Sequence, residues 1–342
     1  MAMQEYLKAI NNSLKDMDLG NYESALTNLQ KIINNQFFKN LTIKDKLFIK
    51  KRLSWMQLSL GYYDQGWDNF TYNWLKNEHK FVEIKKRNNS IKYLINFNQI
   101  KKGDRLLIWN DGGYGDYIYQ LRLLKYIQKK IDIKIYNSKM DHLVRNKKII
   151  TNDSNGFDWH LPLNEMPRII NFNPDIHKDF QYDYLVLPKS RFDYYKEHIA
   201  LTYKTENSVH RSIPYKLLEK IFIKDKNKKF LILHKYLDEY EKSFFSNFKN
   251  VSWIESLDKT LIFQDTFEIL YSINYVISVD TAITHIAGYF GKKNFLLSRH
   301  PGTFYWGFRE NKSKDYPNTL ILRQKETDNW DSVIIALLNK IN

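Results

Sequence analysis

Val279-Asp280-Thr281-Ala282-Ile283-Thr284-His285-Ile286-Ala287-Gly288 is the stretch on which the fold turns. It comes directly after Tyr275-Val276-Ile277-Ser278 and runs on into Tyr289-Phe290-Gly291. Val276, Ile277 and Val279 predict a strand, Asp280-Thr281 a polar edge, and Ile283, Ile286 and Ala287 the apolar start of a helix. Such a junction leaves backbone N–H groups unpaired at a helix N-terminus, on the carboxyl edge of a parallel sheet. Phosphate groups are commonly held there. With Asp280 and His285 flanking those amides, the chemistry suits a nucleotide bearing a sugar, and an enzyme is the leading reading.

On both sides of this stretch strands alternate with helices. Toward the N-terminus, Asp104–Trp109 predicts a strand, Gly112–Gly115 a tight turn, and Tyr117–Lys129 a helix with Ile118, Leu121, Leu124 and Ile127 inward. Further strands are expected at Ile131–Tyr136, Lys148–Thr151 and Tyr184–Leu187. A second alternating unit has strands at Ile199–Tyr203, Phe230–His234, Val251–Ile254, Tyr275–Val279 and Asn294–Leu297. Its helices fall at Tyr215–Phe222, Thr266–Ile273 and Thr281–Phe290. The pattern implies an α/β fold of two Rossmann-like parallel-sheet domains with a cleft between them. A last helix places Trp330, Val333, Ile334, Leu337, Leu338 and Ile341 on one stripe that should dock on the body.

The N-terminal part reads as helical. Leu19-Gly20-Asn21-Tyr22-Glu23-Ser24-Ala25 recurs as Leu60-Gly61-Tyr62-Tyr63-Asp64-Gln65-Gly66. This looks like tetratricopeptide repeats with a spacing longer than usual, or like a plain helical bundle. Two repeats are too few for a free-standing solenoid, so the segment should pack on the α/β part of the chain. The expected division is 1–90 helical, 91–195 a first Rossmann-like domain, and 196–342 a second.

The chain has 342 residues and no cysteine, which excludes disulfides, thiolate zinc sites and a cysteine nucleophile. Its 53 basic and 38 acidic residues give a net charge of +15, but the basic residues are scattered and form no long run. A solvated surface is therefore expected rather than a nucleic-acid groove. No signal peptide and no membrane span are evident, so a cytoplasmic protein is expected. No cluster of His, Asp and Glu suggests a metal, and Asp16-Met17-Asp18 lies in the helical part, away from any sheet edge.

Several stretches, in one order, carry a resemblance. They are Gly61–Trp67 with Trp74; Asp111-Gly112-Gly113-Tyr114-Gly115-Asp116 with Arg122; and Phe157–Leu163 with Met166-Pro167-Arg168. Arg211-Ser212-Ile213-Pro214, Val276–Gly291 and Asn329–Val333 complete the set. Together they resemble bacterial tetratricopeptide-fused glycosyltransferases related to the ADP-heptose–lipopolysaccharide heptosyltransferases. Gly112, Tyr119-Gln120 and Tyr203-Lys204 depart from that pattern.

The resemblance implies the two-domain GT-B architecture and an inverting, metal-independent transfer without a cofactor. The donor would be a nucleotide-sugar, and the acceptor a glycan, lipid-linked or protein molecule. A protein partner could bind the helical part. Asp116 would be the general base, with the alternative that it caps the adjoining helix. Gly113 and Gly115 would let the backbone approach substrate, or simply turn it. Arg211 would neutralise the leaving nucleotide, or form a surface ion pair.

Asp280 and Thr281 would bind the donor, Asp280 through sugar hydroxyls and Thr281 at the diphosphate, unless Asp280 is only a cap. His285 could reach the phosphates, or be a satisfied core histidine. A dinucleotide fingerprint fails, because its third glycine falls at Ile118 and no acid stands after the second strand at Tyr136-Asn137. The same fold without activity would be a sugar-nucleotide-binding module with protein interactions through the helical part.

Overall fold

The computed structural model describes residues 3–70, 84–86, 88–136, 138–178, 183–189, 191–206 and 208–341; Trp74 lies outside them. The chain divides into two compact units. One is Met1–Ser138 with Asn146–Asp179 and Pro301–Arg309; the other is Lys139–Arg145 with Phe180–His300 and Glu310–Asn342.

The first unit opens with four helices: α1 (Met3–Asp18), α2 (Tyr22–Ile33), α3 (Ile43–Ser59) and α4 (Tyr63–Phe70). They close on a core of Tyr6, Leu29, Leu53 and Met56. The sequence echo is a geometric one. Gly20 and Gly61 have φ of 83° and 86°, a region that favours glycine. Each ends its helix with the same pair of bonds: Asn21 N to Asp16 O and Tyr62 N to Gln57 O at 2.8 Å, with Gly20 N to Met17 O and Gly61 N to Leu58 O.

The helices are tied to the rest of the unit. The Trp67 indole donates to Phe172 O at 2.7 Å. Phe304, from the distant segment 301–309, meets Trp55, Trp67 and Phe70 edge-on, and Phe308 stacks on Tyr22.

The same unit carries a sheet of β1 (Lys92–Tyr93), β2 (Arg105–Trp109), β3 (Asp132–Tyr136), β4 (Ile150–Thr151) and β5 (Trp159–Pro162). The order is β1-β5-β2-β3-β4, with every pairing parallel. Leu106-Leu107-Ile108-Trp109 is wholly buried, as a strand covered on both faces requires.

The second unit holds β6 (His198–Thr202), β7 (Lys229–Ile232), β8 (Val251–Trp253), β9 (Tyr275–Val279), β10 (Lys293–Ser298) and β11 (Thr319–Arg323). Their order is β11-β10-β9-β6-β7-β8, again all parallel. The helix Trp330–Leu338 buries Trp330, Val333, Ile334 and Leu337 against this core.

Each sheet reverses its winding once. In the first, the chain lays β3 and β4 on one side of β2 and then β5 on the other. In the second it lays β7 and β8 on one side of β6, then β9 to β11 on the other. Open α/β sheets bind ligands at such a switch, outside the carboxyl ends of the two strands that flank it. The fold therefore singles out the loops after β2 and β5, and those after β6 and β9.

Some expectations change. The strand expected at Tyr184–Leu187 is only an isolated antiparallel bridge between Leu185 and Val144. Leu185 alone is buried there, Leu187 is exposed, and Pro188 next to it has no N–H to donate. The helix expected over 117–129 starts earlier and breaks at Arg122-Leu123 into Tyr114–Leu121 and Leu124–Gln128. Lys148–Thr151 is a 3₁₀ turn, Lys147–Ile149, that ends in a two-residue strand. Among the described residues no helix is long and apolar enough to cross a membrane.

Candidate functional site

At the switch of the second sheet, β9 ends at Val279 and the helix Ala282–Tyr289 begins after Thr281. Thr281 is the cap: its backbone is extended and its hydroxyl accepts from Ile283 N at 3.2 Å. The cap residue is thus Thr281 and not Asp280. Asp280 is 7% exposed, and its carbonyl accepts from Arg211 Nη1 at 3.2 Å. Arg211 stands in the 3₁₀ turn Val209–Arg211, in the loop that leaves β6. The two loops thus bring Arg211, Asp280 and Thr281 to one edge.

His285 lies elsewhere. Only 3% exposed, its ring meets Tyr316 edge-on with Nδ1 3.2 Å from the Tyr316 hydroxyl. It is a core position, one turn beyond the edge.

Two residues past β6, Lys204 is matched by Glu241, which is 5% exposed. Glu241 accepts from Lys204 Nζ at 2.5 Å and from the Tyr203 hydroxyl at 2.6 Å. Burial and the Glu241 carboxylate push the Tyr203 phenol well above its ordinary value. Burial and the Lys204 ammonium depress the His234 imidazole below its ordinary value. The Lys204 charge is thereby balanced. Among the described residues no carboxylate lies within ion-pair distance of Arg211. The positive potential of this edge comes from Arg211 and from the amides at the helix start.

The switch of the first sheet is acidic. Asp111 stands two residues past β2, and its Oδ1 accepts from Asn164 N at 3.0 Å, in the loop that leaves β5. Burial, with the Glu165 and Asp116 carboxylates adding to it against the Asn164 bond, pushes Asp111 up to about 7. Glu165 is 1% exposed and raised by burial, partly offset by Arg168, whose Nε donates to it at 2.8 Å.

Asp116 lies in the first turn of the helix Tyr114–Leu121, and its Oδ2 accepts from Gly113 N at 2.7 Å. Its Oδ1 accepts from the Tyr305 hydroxyl. Burial and Asp116 hold that phenol well above its ordinary value.

The glycines here are not used for left-handed backbone. Gly112, Gly113 and Gly115 are absent from the positive-φ positions. Gly112 is needed for room, since a Cβ on it would stand 2.6 Å from Asn164 Nδ2 and 2.8 Å from Asp116 Oδ2. Gly113 contributes its amide to Asp116, and Gly115 is an ordinary helical residue.

Sequence reasoning assigned no role to Asp111, Asn164, Glu165 or Tyr305. The position of Asp111, just past a continuous apolar strand, was the available signal. Nothing local marks Tyr305, which reaches Asp116 across 189 residues of chain. Among the described residues no group of three His, Cys, Asp or Glu side chains is placed to hold a metal ion.

No family model and no curated protein matches the sequence. Solved structures give distant likenesses. The E. coli heptosyltransferase WaaC with ADP-2-deoxy-2-fluoro heptose is 12% identical, over 69% of this chain and 98% of that one, with a TM-score of 0.41. A glycosyl transferase family 9 protein from Veillonella parvula is 8% identical, over 72% and 93%, with a TM-score of 0.45. The E. coli ADP-heptose lps heptosyltransferase II is 9% identical, over 69% and 98%, with a TM-score of 0.39. With overlaps below 0.5 none of these decides the fold, which rests on the strand order itself.

Proposed function

We propose that the chain is an inverting, metal-independent glycosyltransferase of GT-B architecture, moving a sugar from a nucleotide-sugar to a glycan, lipid-linked or protein acceptor. The observation that carries this reading is the pair of switch points: one acidic, one built from Arg211 and the start of the helix Ala282–Tyr289. A transfer of this kind needs both, a carboxylate to take the acceptor's proton and positive potential on the departing diphosphate.

In this reading residues 196–342 take the donor. Arg211, the Thr281 hydroxyl and the amides after Asp280 hold the diphosphate. The Asp280 carboxylate accepts hydrogen bonds from sugar hydroxyls, since a carboxylate beside a diphosphate is otherwise unfavourable. Residues 91–195 take the acceptor, with the proton-accepting role that the resemblance gives Asp116. The helical residues 1–90 bind the acceptor or a protein partner.

The test is a thermal-shift screen of ADP-, GDP-, UDP- and dTDP-sugars, because a ligand that binds only the folded state raises its melting temperature. One class should stabilise the protein, and Arg211→Ala should abolish the effect. No stabilisation by any of the four would defeat the reading. A second reading, an inactive sugar-nucleotide-binding module, is favoured by one observation: both oxygens of Asp116 are already engaged, by Gly113 N and by Tyr305. Hydrolysis or transfer of a labelled nucleotide-sugar separates the two.

A further inference from the structure

The carboxyl edge of the second sheet runs on beyond β9. There β9, β10 and β11 lie side by side, and Leu297 pairs with Val279 on one side and with Leu322 on the other. Two residues further, the same register brings Thr281, Arg299 and Gln324 abreast, on strands about 4.8 Å apart. The ladder between β10 and β11 still holds at this level, since Gln324 N donates to Ser298 O at 2.9 Å. Side chains alternate along a strand, so the three continue the face on which Val279, Leu297 and Leu322 enter the core.

The loops at the two ends of this row meet. His210, next to Arg211 in the loop that leaves β6, has Nδ1 3.3 Å from Asp328 Oδ1, in the loop that leaves β11. Arg211 and Arg299 therefore flank Thr281, Arg211 from the β6 side through the Asp280 carbonyl and Arg299 from the β10 side.

Two groups of the row lack an acceptor. Arg299 is partly buried, and its Nε is shut off from water with no hydrogen-bond partner among the described residues. Gln324 is 2% exposed. Its Oε1 accepts from His300 N at 2.9 Å, which fixes the carboxamide and leaves Nε2 buried and unpaired. Buried donors are ordinarily paired, and both of these groups can only donate. The missing partner is an acceptor, and beside a guanidinium an anion is favoured.

We propose that Arg299, with the Gln324 carboxamide beside it, holds a second phosphate of the donor, next to the phosphate held by Arg211, Thr281 and the helix start. The proposal rests on the nucleotide-sugar reading above and narrows the donor class. Each phosphate meets its own arginine, so the site selects a nucleoside diphosphate sugar over a nucleoside monophosphate sugar.

The experiment is calorimetric titration of the full chain with ADP, GDP, UDP and dTDP and with the corresponding monophosphates. Wild type should bind one diphosphate roughly tenfold or more tighter than its monophosphate, about the worth of one charge-assisted bond. Arg299→Met keeps the apolar stem. It should weaken the diphosphate by roughly tenfold or more and leave the monophosphate within about threefold. Arg211→Ala should weaken both ligands. Arg299→Lys keeps the charge without the fork and should recover part of the loss, which a merely structural role would not predict. Gln324→Glu retains the acceptor for His300 N but replaces the donor with a carboxylate, and it should weaken the diphosphate more than the monophosphate.

A wild-type chain that binds a monophosphate as tightly as its diphosphate would overturn the proposal while leaving nucleotide binding at Arg211 intact. So would Arg299→Met with unchanged diphosphate affinity, or with equal losses for both ligands. A wild-type chain that binds none of these nucleotides would sink the nucleotide-sugar reading and this proposal together. The wild-type comparison needs no variant, so the test stands even if Arg299→Met fails to fold.

Discussion

In the first sheet the loops leaving β2 and β5 end in Asp111 and Glu165, whereas in the second those leaving β6 and β9 present Arg211 and a helix start. Both sheets are wholly parallel and both reverse their winding beside a central strand. Winding determines where a ligand can sit. The residues just past the strand ends determine which charge it meets.

The two sites also differ in how their charges are balanced. At the second switch Lys204 is neutralised by Glu241 and Arg211 is left to face an anion. At the first, three carboxylates share one neighbourhood, Arg168 partly offsets only Glu165, and Asp111 is pushed up to about 7.

Reversing the charge at the basic switch should have the largest effect. Arg211→Glu is expected to weaken binding of the nucleoside diphosphate by about 100-fold or more, since it removes a charge-assisted bond and adds repulsion. Calorimetric titration measures it, and an unchanged affinity would dissolve the contrast between the sites.

Asp280→Asn comes next. The nucleotide-sugar should lose about 1–3 kcal/mol, the cost of a charged hydrogen bond, while the bare nucleoside diphosphate loses little. Because Thr281 is the cap, equal losses for both ligands cannot be charged to capping and would remove Asp280 from the sugar.

A smaller effect separates the acidic switch by pH. The Asp111 carboxyl is held at about 7 in the folded chain against its ordinary 3.8, so folding binds its proton more tightly. That stabilisation is complete below 3.8 and is lost as pH rises through about 7. In urea unfolding across this window, Asp111→Asn should show a flatter pH dependence than wild type. Parallel curves would mean that the acidic cluster is not coupled as described.

The smallest expected change is none. EDTA should leave transfer unaltered, because Arg211 and the helix amides supply the positive potential. Activity lost to EDTA and restored by Mn²⁺ would require a cation at one switch.

Much of the second sheet was readable from sequence. Val276, Ile277 and Val279 make a strand in any context, and β9 runs from Tyr275 to Val279 as expected. β5 was not read as a strand. Trp159-His160-Leu161-Pro162 has no β-branched residue and places a histidine where the structure buries it completely. The indole of Trp109, on the neighbouring β2, donates to His160 Nδ1 at 3.2 Å, and burial, together with Lys85, depresses the ring to about 4. A polar letter thus became a neutral core residue. β11 escaped for a related reason: Thr319–Arg323 comes after a polar loop, and its strand character comes from pairing with β10.

By itself the sequence determined those local elements with a clear apolar period and the motif edges beside them, because periodicity and helix capping depend on neighbours within a few residues. It placed Asp280-Thr281 on a strand-to-helix junction and Asp116 beside a glycine-rich turn. Only the tertiary structure decided which of these groups remain available. It put the His285 ring against Tyr316 in the core, made Thr281 and not Asp280 the cap, and brought Arg211 to the Asp280 carbonyl. It also drew Tyr305 onto Asp116 and Asn164 onto Asp111. Burial and hydrogen-bond partners are set by contacts between residues far apart in the chain, and no local pattern encodes them.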